Sequence, residues 1–339
     1  MIFITGSTGL VGSHLLMELI QKGLAIRALK RKGSSIEEVR KVFGYYLDKN
    51  KADELFKKID WVEGNLLESD KIDNYLEGVN EIYHCAAMVS FNSADKKDMM
   101  AINVDGTADL VNLALKWKIN KFCFVSSVAA VGPMTDGKPA DETSFWKKTK
   151  NSSWYGISKF ESEMEVWRAG AEGLNSVIVN PSVILGPGNW HRGAGRMFTT
   201  VEKGLPFYTS GLTGYVDVRD VVKIMVLLMD KEIYGKRFIL NSDNLSFKEV
   251  FSLIAENLGK KSPYLKAGRL LTSLGWRVDY IRSKLFGKQN LITKETAKAS
   301  MNRKYYSNKK ITEILDYRFI PVATSIKDIC NAYQNKKLI

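Results

Sequence analysis

Along this chain, short runs of apolar residues at strand spacing give way repeatedly to apolar residues at helical spacing. Ile2, Phe3, Ile4 and Thr5 form a β-favouring run, and from Leu10 the residues Leu10, Val11, Leu15, Leu16, Leu19 and Ile20 follow the period of a helix. The cycle then recurs. Leu24 to Lys30 alternates as a second strand, residues 34–58 are a polar, helix-favouring excursion, and Ile59 to Val62 predicts a third strand. Glu81 to Cys85 and Lys121 to Ser126 predict a fourth and a fifth, with helical spacing from Asp98 to Trp117 between them. A sixth strand ends at Asn180, and Phe247 to Leu258 predicts a later helix. Strands and helices alternating at this length imply parallel strands with right-handed crossovers, so the expected fold class is α/β, a doubly wound parallel sheet.

Between the first strand and the first helix stand Gly6, Gly9 and Gly12. A strand entering a helix through three glycines presents backbone N–H groups and the helix's positive end to a pyrophosphate, with no Cβ in the way. A glycine triplet by itself also marks an ordinary tight turn; the strand before it and the helix after it favour a dinucleotide site. Gly6, Thr8, Gly9, Leu10, Val11 and Gly12 are then the expected cofactor contacts. The second strand ends in Lys30, Arg31 and Lys32, where such a fold meets the adenosine ribose. An acid there would bind a free 2′-hydroxyl, whereas arginine pairs with a 2′-phosphate. No acid ends this strand, so Lys30 and Arg31 favour NADP over NAD; the alternative is a solvated basic loop.

Candidate chemistry follows the fifth strand. Ser126 and Ser127 end it, on the edge where such sheets bind ligands, and Tyr155 and Lys159 open the next helix four residues apart, on one face. A free tyrosine has a pKa of about 10, and a fixed ammonium nearby lowers it toward the range useful for proton transfer. The spacing alone is not selective: Tyr45/Lys49, Tyr280/Lys284, Tyr305/Lys309, Tyr306/Lys310 and Tyr333/Lys337 share it. Only Tyr155/Lys159 follows a strand-ending serine and begins a helix.

The glycine spacing, preceded by Thr5, together with this serine, tyrosine and lysine, resembles the extended branch of the short-chain dehydrogenase/reductase family, the NAD-dependent epimerase/dehydratase superfamily. The resemblance runs to about residue 250. It implies a Rossmann domain over residues 1–180, its sheet completed by parts of 206–245, and a smaller, mostly helical substrate lobe over 181–339 interleaved with it. It implies Ser127, with Ser126 as the alternative, Tyr155 and Lys159 as the catalytic triad, Lys159 also holding the nicotinamide ribose, and Asn103 in support. Asn65, beside Leu66, stands where the family commonly has an aspartate holding the adenine amino group. Ala86 and Ala87 would let the cofactor lie close, and Pro181 and Val183 belong to a segment, Asn180 to Gly188, that lies beside the nicotinamide. Thr213 replaces an arginine usual in nucleotide-sugar epimerases, and Val128-Ala129 replaces the Asp-Glu of sugar dehydratases. What remains looks most like the dihydroflavonol reductase and hydroxysteroid dehydrogenase group, which moves hydride between NADP and a carbonyl or alcohol on an apolar small-molecule substrate. A nucleotide-sugar epimerase and a non-catalytic NADP-binding sensor or scaffold are the alternatives. The resemblance also implies a homodimer through helices near 98–117 and 154–170, with Val104, Leu110, Leu113, Met164 and Val166 supplying apolar contacts, although some of these must face the sheet. Phe145, Trp146 and Trp154 either wall the substrate pocket or pack on the domain's flank, and Gly186 to Gly195, with Trp190, His191 and Arg192, is expected to be a mobile substrate loop.

Composition narrows the setting. The 339 residues, 45% hydrophobic and 26% charged, suffice for one large core and a smaller lobe. No stretch is long and apolar enough to span a bilayer, and a first strand at Ile2 leaves no room for a signal peptide, so the cytoplasm is the expected compartment. Cys85, Cys123 and Cys330 are far apart and read as small hydrophobes, and His14, His84 and His191 show no metal-ligand spacing, so no metal is expected. The net charge is +13, and between Gly259 and Lys310 fourteen Lys or Arg face only Asp279 and Glu295. The same segment carries Leu270, Leu271, Leu274, Trp276, Ile281, Leu285 and Phe286. It is expected to be a lid over the substrate, with weak contact to an anionic membrane as the alternative. Nucleic acid is not expected, because no binding module accompanies the charge.

Overall fold

The computed structural model describes residues 1–133, 137–150, 152–268, 271–272, 276–277 and 293–335. Seven parallel strands form the main sheet: β1 (Ile2–Thr5), β2 (Ile26–Lys30), β3 (Asp60–Glu63), β4 (Glu81–His84), β5 (Lys121–Val125), β6 (Ser176–Pro181) and, after three strands belonging elsewhere, β10 (Lys236–Leu240). Their order is β3-β2-β1-β4-β5-β6-β10. The chain winds outward in both directions from β1, so the crevice between β1 and β4 is the point where the winding reverses.

These strands are apolar on both faces because both faces are covered. Ile2, Ile4, Ala28, Tyr83, Val125, Val177 and Val179 point to one side, where α1 (Leu10–Gln21) and α9 (Val218–Asp230) bring Leu15, Leu16, Leu19, Val221, Val222 and Met225. Phe3, Leu29, Ile82, Phe122, Phe124 and Ile178 point to the other, where α6 (Gly106–Lys116) and α7 (Trp154–Ala171) bring Leu110, Val111, Val166 and Ala169. Each large side chain so buried contributes about 1.5–3 kcal/mol. Leu110 and Val166 therefore belong to the interior of one chain. They are the members of the five expected contacts that face the sheet, and a side chain spent there has no surface to offer another chain. Of the other three, Val104 and Leu113 are half-buried and Met164 is exposed.

The helix expected over 98–117 is continuous but not uniform. It begins as α5 (Lys96–Met100), widens into a π-helical turn over Ala101–Asp105, and continues as α6. Such wide turns inside α-helices often mark functional positions.

A second core lies beyond the sheet's carboxyl edge. It combines a three-stranded sheet, β7 (Val183–Leu185), β9 (Leu212–Asp217) and β11 (Asp243–Ser246), with α8 (Gly195–Glu202), α10 (Phe247–Asn257) and the helix Val322–Asn335. Trp190 sits at its centre, 2% exposed, edge-on to Phe198 and Tyr333, its indole N–H donated to the Tyr45 hydroxyl at 3.0 Å. The Gly186–Gly195 segment, expected to be a mobile loop, is thus anchored by a core tryptophan; its exposed residues are Asn189 and His191 to Gly193. Of the apolar residues in the basic segment, Leu270, Leu274, Ile281, Leu285 and Phe286 lie outside the described residues. Leu271 is exposed, and Trp276 lies under the Arg277 guanidinium. Among the described residues no helix is long and apolar enough to cross a membrane.

Candidate active site

At the carboxyl end of β1 the chain turns through Gly6 at φ +66°, a left-handed conformation that glycine adopts without strain. A Cβ there would lie 2.5 Å from the Ala86 nitrogen, and one on Gly12 would lie 2.2 Å from the Gly6 oxygen, so both positions are closed to side chains. Ser7 fixes the turn by donating its hydroxyl to the Leu29 carbonyl at 2.5 Å, and Gly9 donates its N–H to the Gly6 oxygen at 2.9 Å. Gly9 caps α1 with no side chain, and the first turn carries no acid. The N–H groups that open α1 at Leu10 and Val11 are therefore uncovered by any cap and backed by the helix dipole. Such a cradle suits a pyrophosphate, and Thr8, half-buried, stands on its rim.

At the adenosine end the structure modifies the expectation. Lys30 is cross-strand from Glu63 on β3, and its ammonium is 2.5 Å from that carboxylate. A carboxylate does stand beside the end of β2; it comes from a neighbouring strand, and it neutralises Lys30. Arg31 is exposed, and its guanidinium has no ionic or hydrogen-bonding partner among the described residues. Asn65 is half-buried, its side-chain oxygen 3.4 Å from the Leu67 N–H, and Leu66 is buried beneath Gly106.

A buried polar chain crosses the crevice. The Ala86 N–H donates to the Thr5 hydroxyl at 3.2 Å, and Thr5 meets His84 Nδ1 at 2.7 Å. His84 Nε2 meets the Thr107 hydroxyl at 3.0 Å, and Thr107 donates to the Asn103 carbonyl at 2.5 Å. Every member is satisfied if Thr5 donates to Nδ1 and Nε2–H donates to Thr107. Burial holds the imidazole neutral, its pKa pulled down to about 3, with the nearby Lys159 ammonium acting in the same direction. Asn103, in the π-helical turn, accepts from the Met88 N–H at 2.7 Å and donates to the Met88 carbonyl at 3.0 Å and to Ser158 on α7 at 2.9 Å. Its amide therefore clamps the segment after β4, which includes Ala86 and the exposed Ala87, to α7.

The structure brings Ser127, Tyr155 and Lys159 together. Ser153 caps α7 by accepting the Gly156 N–H at 3.0 Å, which places Tyr155 in the first turn, and the Tyr155 hydroxyl faces the Ser127 side chain. Ser127 also accepts from the Ala129 N–H at 3.1 Å. Ser126 points the other way, its hydroxyl 2.5 Å from the Glu163 carboxylate in the interior, so the alternation of β5 separates the two serines. Lys159 is 1% exposed and donates to the Val125 carbonyl at 2.7 Å. Burial pulls its pKa down to about 8, opposed first by the Glu163 carboxylate. Burial pushes the Tyr155 phenol up, and the Ser127 side chain is what opposes it. That differs from the expectation that Lys159 lowers the phenol, because the ammonium is turned to the Val125 carbonyl.

Four residues outside the predicted set complete this end: His84, Glu163, Asn180 and Arg237. Glu163 is fully buried and accepts from Asn180 Nδ2 at 2.5 Å and from Arg237 at 3.2 Å. Its one signal in the sequence was position, four residues after Lys159 and eight after Tyr155 on the same helical face. Asn180 Nδ2 also donates to the Ser127 carbonyl at 3.0 Å. Pro181 closes β6, and Val183 pairs with Tyr215 in the second sheet. Around Tyr155 stand apolar surfaces: Phe91 lies edge-on at 5.9 Å, and Val89 beyond it is exposed. Trp154 carries the Lys96 ammonium over its ring at 3.6 Å, whereas Trp146 stacks on Phe160 on the flank and Phe145 projects into solvent.

Comparison with known proteins bears on the family and the fold. A sequence model of the NAD dependent epimerase/dehydratase family matches residues 2–240. A Synechocystis protein provisionally named dihydroflavonol 4-reductase is 27% identical over 342 residues, covering 98% of this chain and 94% of its own. Cinnamoyl-CoA reductase 1 of Petunia hybrida is 26% identical over 273 residues, covering 75% of this chain and 76% of its own. Among solved structures, gox2253 superposes with a TM-score of 0.80 at 28% identity, covering 99% of this chain and 98% of its own. The UDP-glucose 4-epimerase of Thermotoga maritima shares the fold, with a TM-score of 0.79 at 18% identity and 99% of each chain covered.

Proposed function

The chain belongs to the NAD dependent epimerase/dehydratase family, a family of NAD(P)-dependent enzymes, and on that premise we propose that it is an NADP-dependent oxidoreductase acting on a carbonyl or alcohol of a small, apolar substrate. The observation that carries this reading is the Tyr155 hydroxyl, facing Ser127 and bordered by Phe91, at the carboxyl edge of the sheet. A nicotinamide bound there would supply or accept the hydride. Tyr155 exchanges the proton with the substrate oxygen, and Ser127 holds that oxygen in place. Lys159 binds the nicotinamide ribose and keeps a positive charge in the pocket. The glycine turn holds the pyrophosphate, and Ala86, Ala87, Pro181 and Val183 line the nicotinamide's path.

Reductase names among relatives that span most of this chain support hydride transfer as the net reaction. Thr213, half-buried on β9 opposite Leu245, offers no charge to a nucleotide-sugar's phosphates, which disfavours the epimerase alternative. Preference for NADP rests on Arg31 alone, since Lys30 is paired. We also propose a homodimer in which the exposed Met164 and the half-buried Leu113 and Val104 lie at the contact; a monomer mass by light scattering at micromolar concentration would overturn it. A screen of aryl and alicyclic carbonyl compounds, following oxidation of NADPH and of NADH, tests the activity. Consumption of NADPH by an apolar carbonyl is the expected result. Interconversion of UDP-sugars with no net cofactor turnover would replace this reading with the epimerase.

A further inference from the structure

We propose that Glu163 is a positioning residue of this site, a buried carboxylate anion that keeps Lys159 an ammonium and anchors the main chain at Ser127. The inference deepens the reading of Tyr155 and Lys159 given above and rests on it. Tyr155, Lys159 and Glu163 occupy successive turns of one face of α7. Glu163 is 0% exposed, and such a group persists in an interior only where donors surround it. It has three: the Ser126 hydroxyl, the Asn180 amide and the Arg237 guanidinium. Ser126 directly follows β5, Asn180 is near the end of β6 and Arg237 is near the start of β10, so one carboxylate ties together three neighbouring strands. Arg237 is itself held by the Glu142 and Ser144 carbonyls. The Asn180 amide is shared between Glu163 and the Ser127 carbonyl, which ties the anion to the residue that faces the Tyr155 hydroxyl.

The charge argument is independent of this scaffold. The titratable groups facing Lys159 are Tyr155 and Glu163 on its own helix and His84 and Cys85 at the end of β4, with Arg237 beyond Glu163. Burial keeps His84 uncharged and raises the Cys85 thiol to about 12, and Tyr155 is a neutral phenol. Burial pushes the Glu163 carboxyl above its ordinary value, and the Ser126 hydroxyl, the Arg237 guanidinium and the Asn180 amide oppose it. With those three donors on it, Glu163 is the one member of that group placed to carry negative charge near neutral pH. A buried lysine whose sole counter-charge is removed sheds its proton at lower pH. The Glu163→Gln variant keeps the size and the hydrogen-bonding atoms while removing the charge.

The test is the titration of Lys159 itself, followed by NMR on protein with isotope-labelled lysine side chains and assigned with Lys159→Arg. In Glu163→Gln the midpoint is expected to fall by about one pH unit or more, a tenfold change in the proton equilibrium. In Glu163→Asp, which retains the charge, it should return most of the way to the parent value. A folded Glu163→Gln protein with an unchanged midpoint would overturn the proposal, since a purely structural glutamate would not move it. Should that variant not fold, the carboxyl carbon shift of Glu163 in the parent protein decides, with Glu163→Asp used for assignment. An ionised carboxylate from pH 6 to 8 supports the inference, and a protonated one ends it. Neither measurement involves substrate or turnover, so failure of the reductase reading would leave the result intact.

Discussion

At the pyrophosphate end of the crevice the walls are main chain: Gly6 and Gly12 are closed to any Cβ, Gly9 leaves α1 uncapped, and the binding groups are backbone N–H. At the nicotinamide end the walls are side chains drawn from distant strands and helices, with His84, Asn103, Lys159 and Glu163 buried and bonded to one another's neighbours. The first construction resists steric change and has little to titrate. The second tolerates shape but depends on which groups are charged. One protein thus contains a site half governed by geometry and a site half governed by protons.

Substitutions can break that contrast at its strongest point. Gly12→Ala forces a methyl against the Gly6 carbonyl, and overpacking of this kind costs about 1–3 kcal/mol. Cofactor binding is expected to disappear in a fluorescence titration, and retention of parental affinity would show that the turn yields. Tyr155→Phe leaves the packing in place and removes a proton, so turnover should fall by about 10²–10⁴ while cofactor affinity stays within about twofold. Lys159→Ala should lose both, and substantial activity in Tyr155→Phe would sink the acid–base assignment.

Acidity sharpens the contrast without mutation. His84 has its folded pKa depressed to about 3 and His14, also buried, to about 4, both below the usual 6.5. The unfolded chain therefore binds more protons between those values, so the stability these groups confer is present above pH 6.5 and is lost as pH falls. Each contributes a slope of up to about 1.4 kcal/mol per pH unit. Urea midpoints at pH 7 and pH 5, compared between the parent and His84→Asn, isolate the His84 share. They separate it from that of Asp220, whose carboxyl is raised by burial to about 6 and acts in the opposite direction. An equal response in both proteins would contradict neutral burial. The smallest effect belongs to Arg31→Ala, expected to weaken NADPH by about tenfold, or ~1.4 kcal/mol, with NADH unchanged. Equal losses for both cofactors would leave NADP preference without support.

The same division decides what could be read from the residues alone. The first strands, the glycine turn and the Tyr155/Lys159 pair depend on neighbours within a few positions, and their periodicities are local. The choice between Ser126 and Ser127 was not local, because adjacent strand residues face opposite sides and only the register of β5 fixes which faces Tyr155. Glu63 beside Lys30, and Asn180 and Arg237 around Glu163, are cross-strand neighbours separated by many residues, and no pattern in the sequence announces them. Trp190 was misplaced because an irregular segment has no period from which burial can be inferred.

Trp190 also has a consequence in time. The last strand of the main sheet ends at Leu240, but the core that seats Trp190 needs Tyr333, roughly ninety residues later. At about 5–20 residues per second of synthesis, the nucleotide cradle can close several seconds before the segment beside the nicotinamide has anything to pack against. During that interval the nascent chain can hold a cofactor with nowhere to seat a substrate. The final helix, Val322–Asn335, then acts as the timer that ends it.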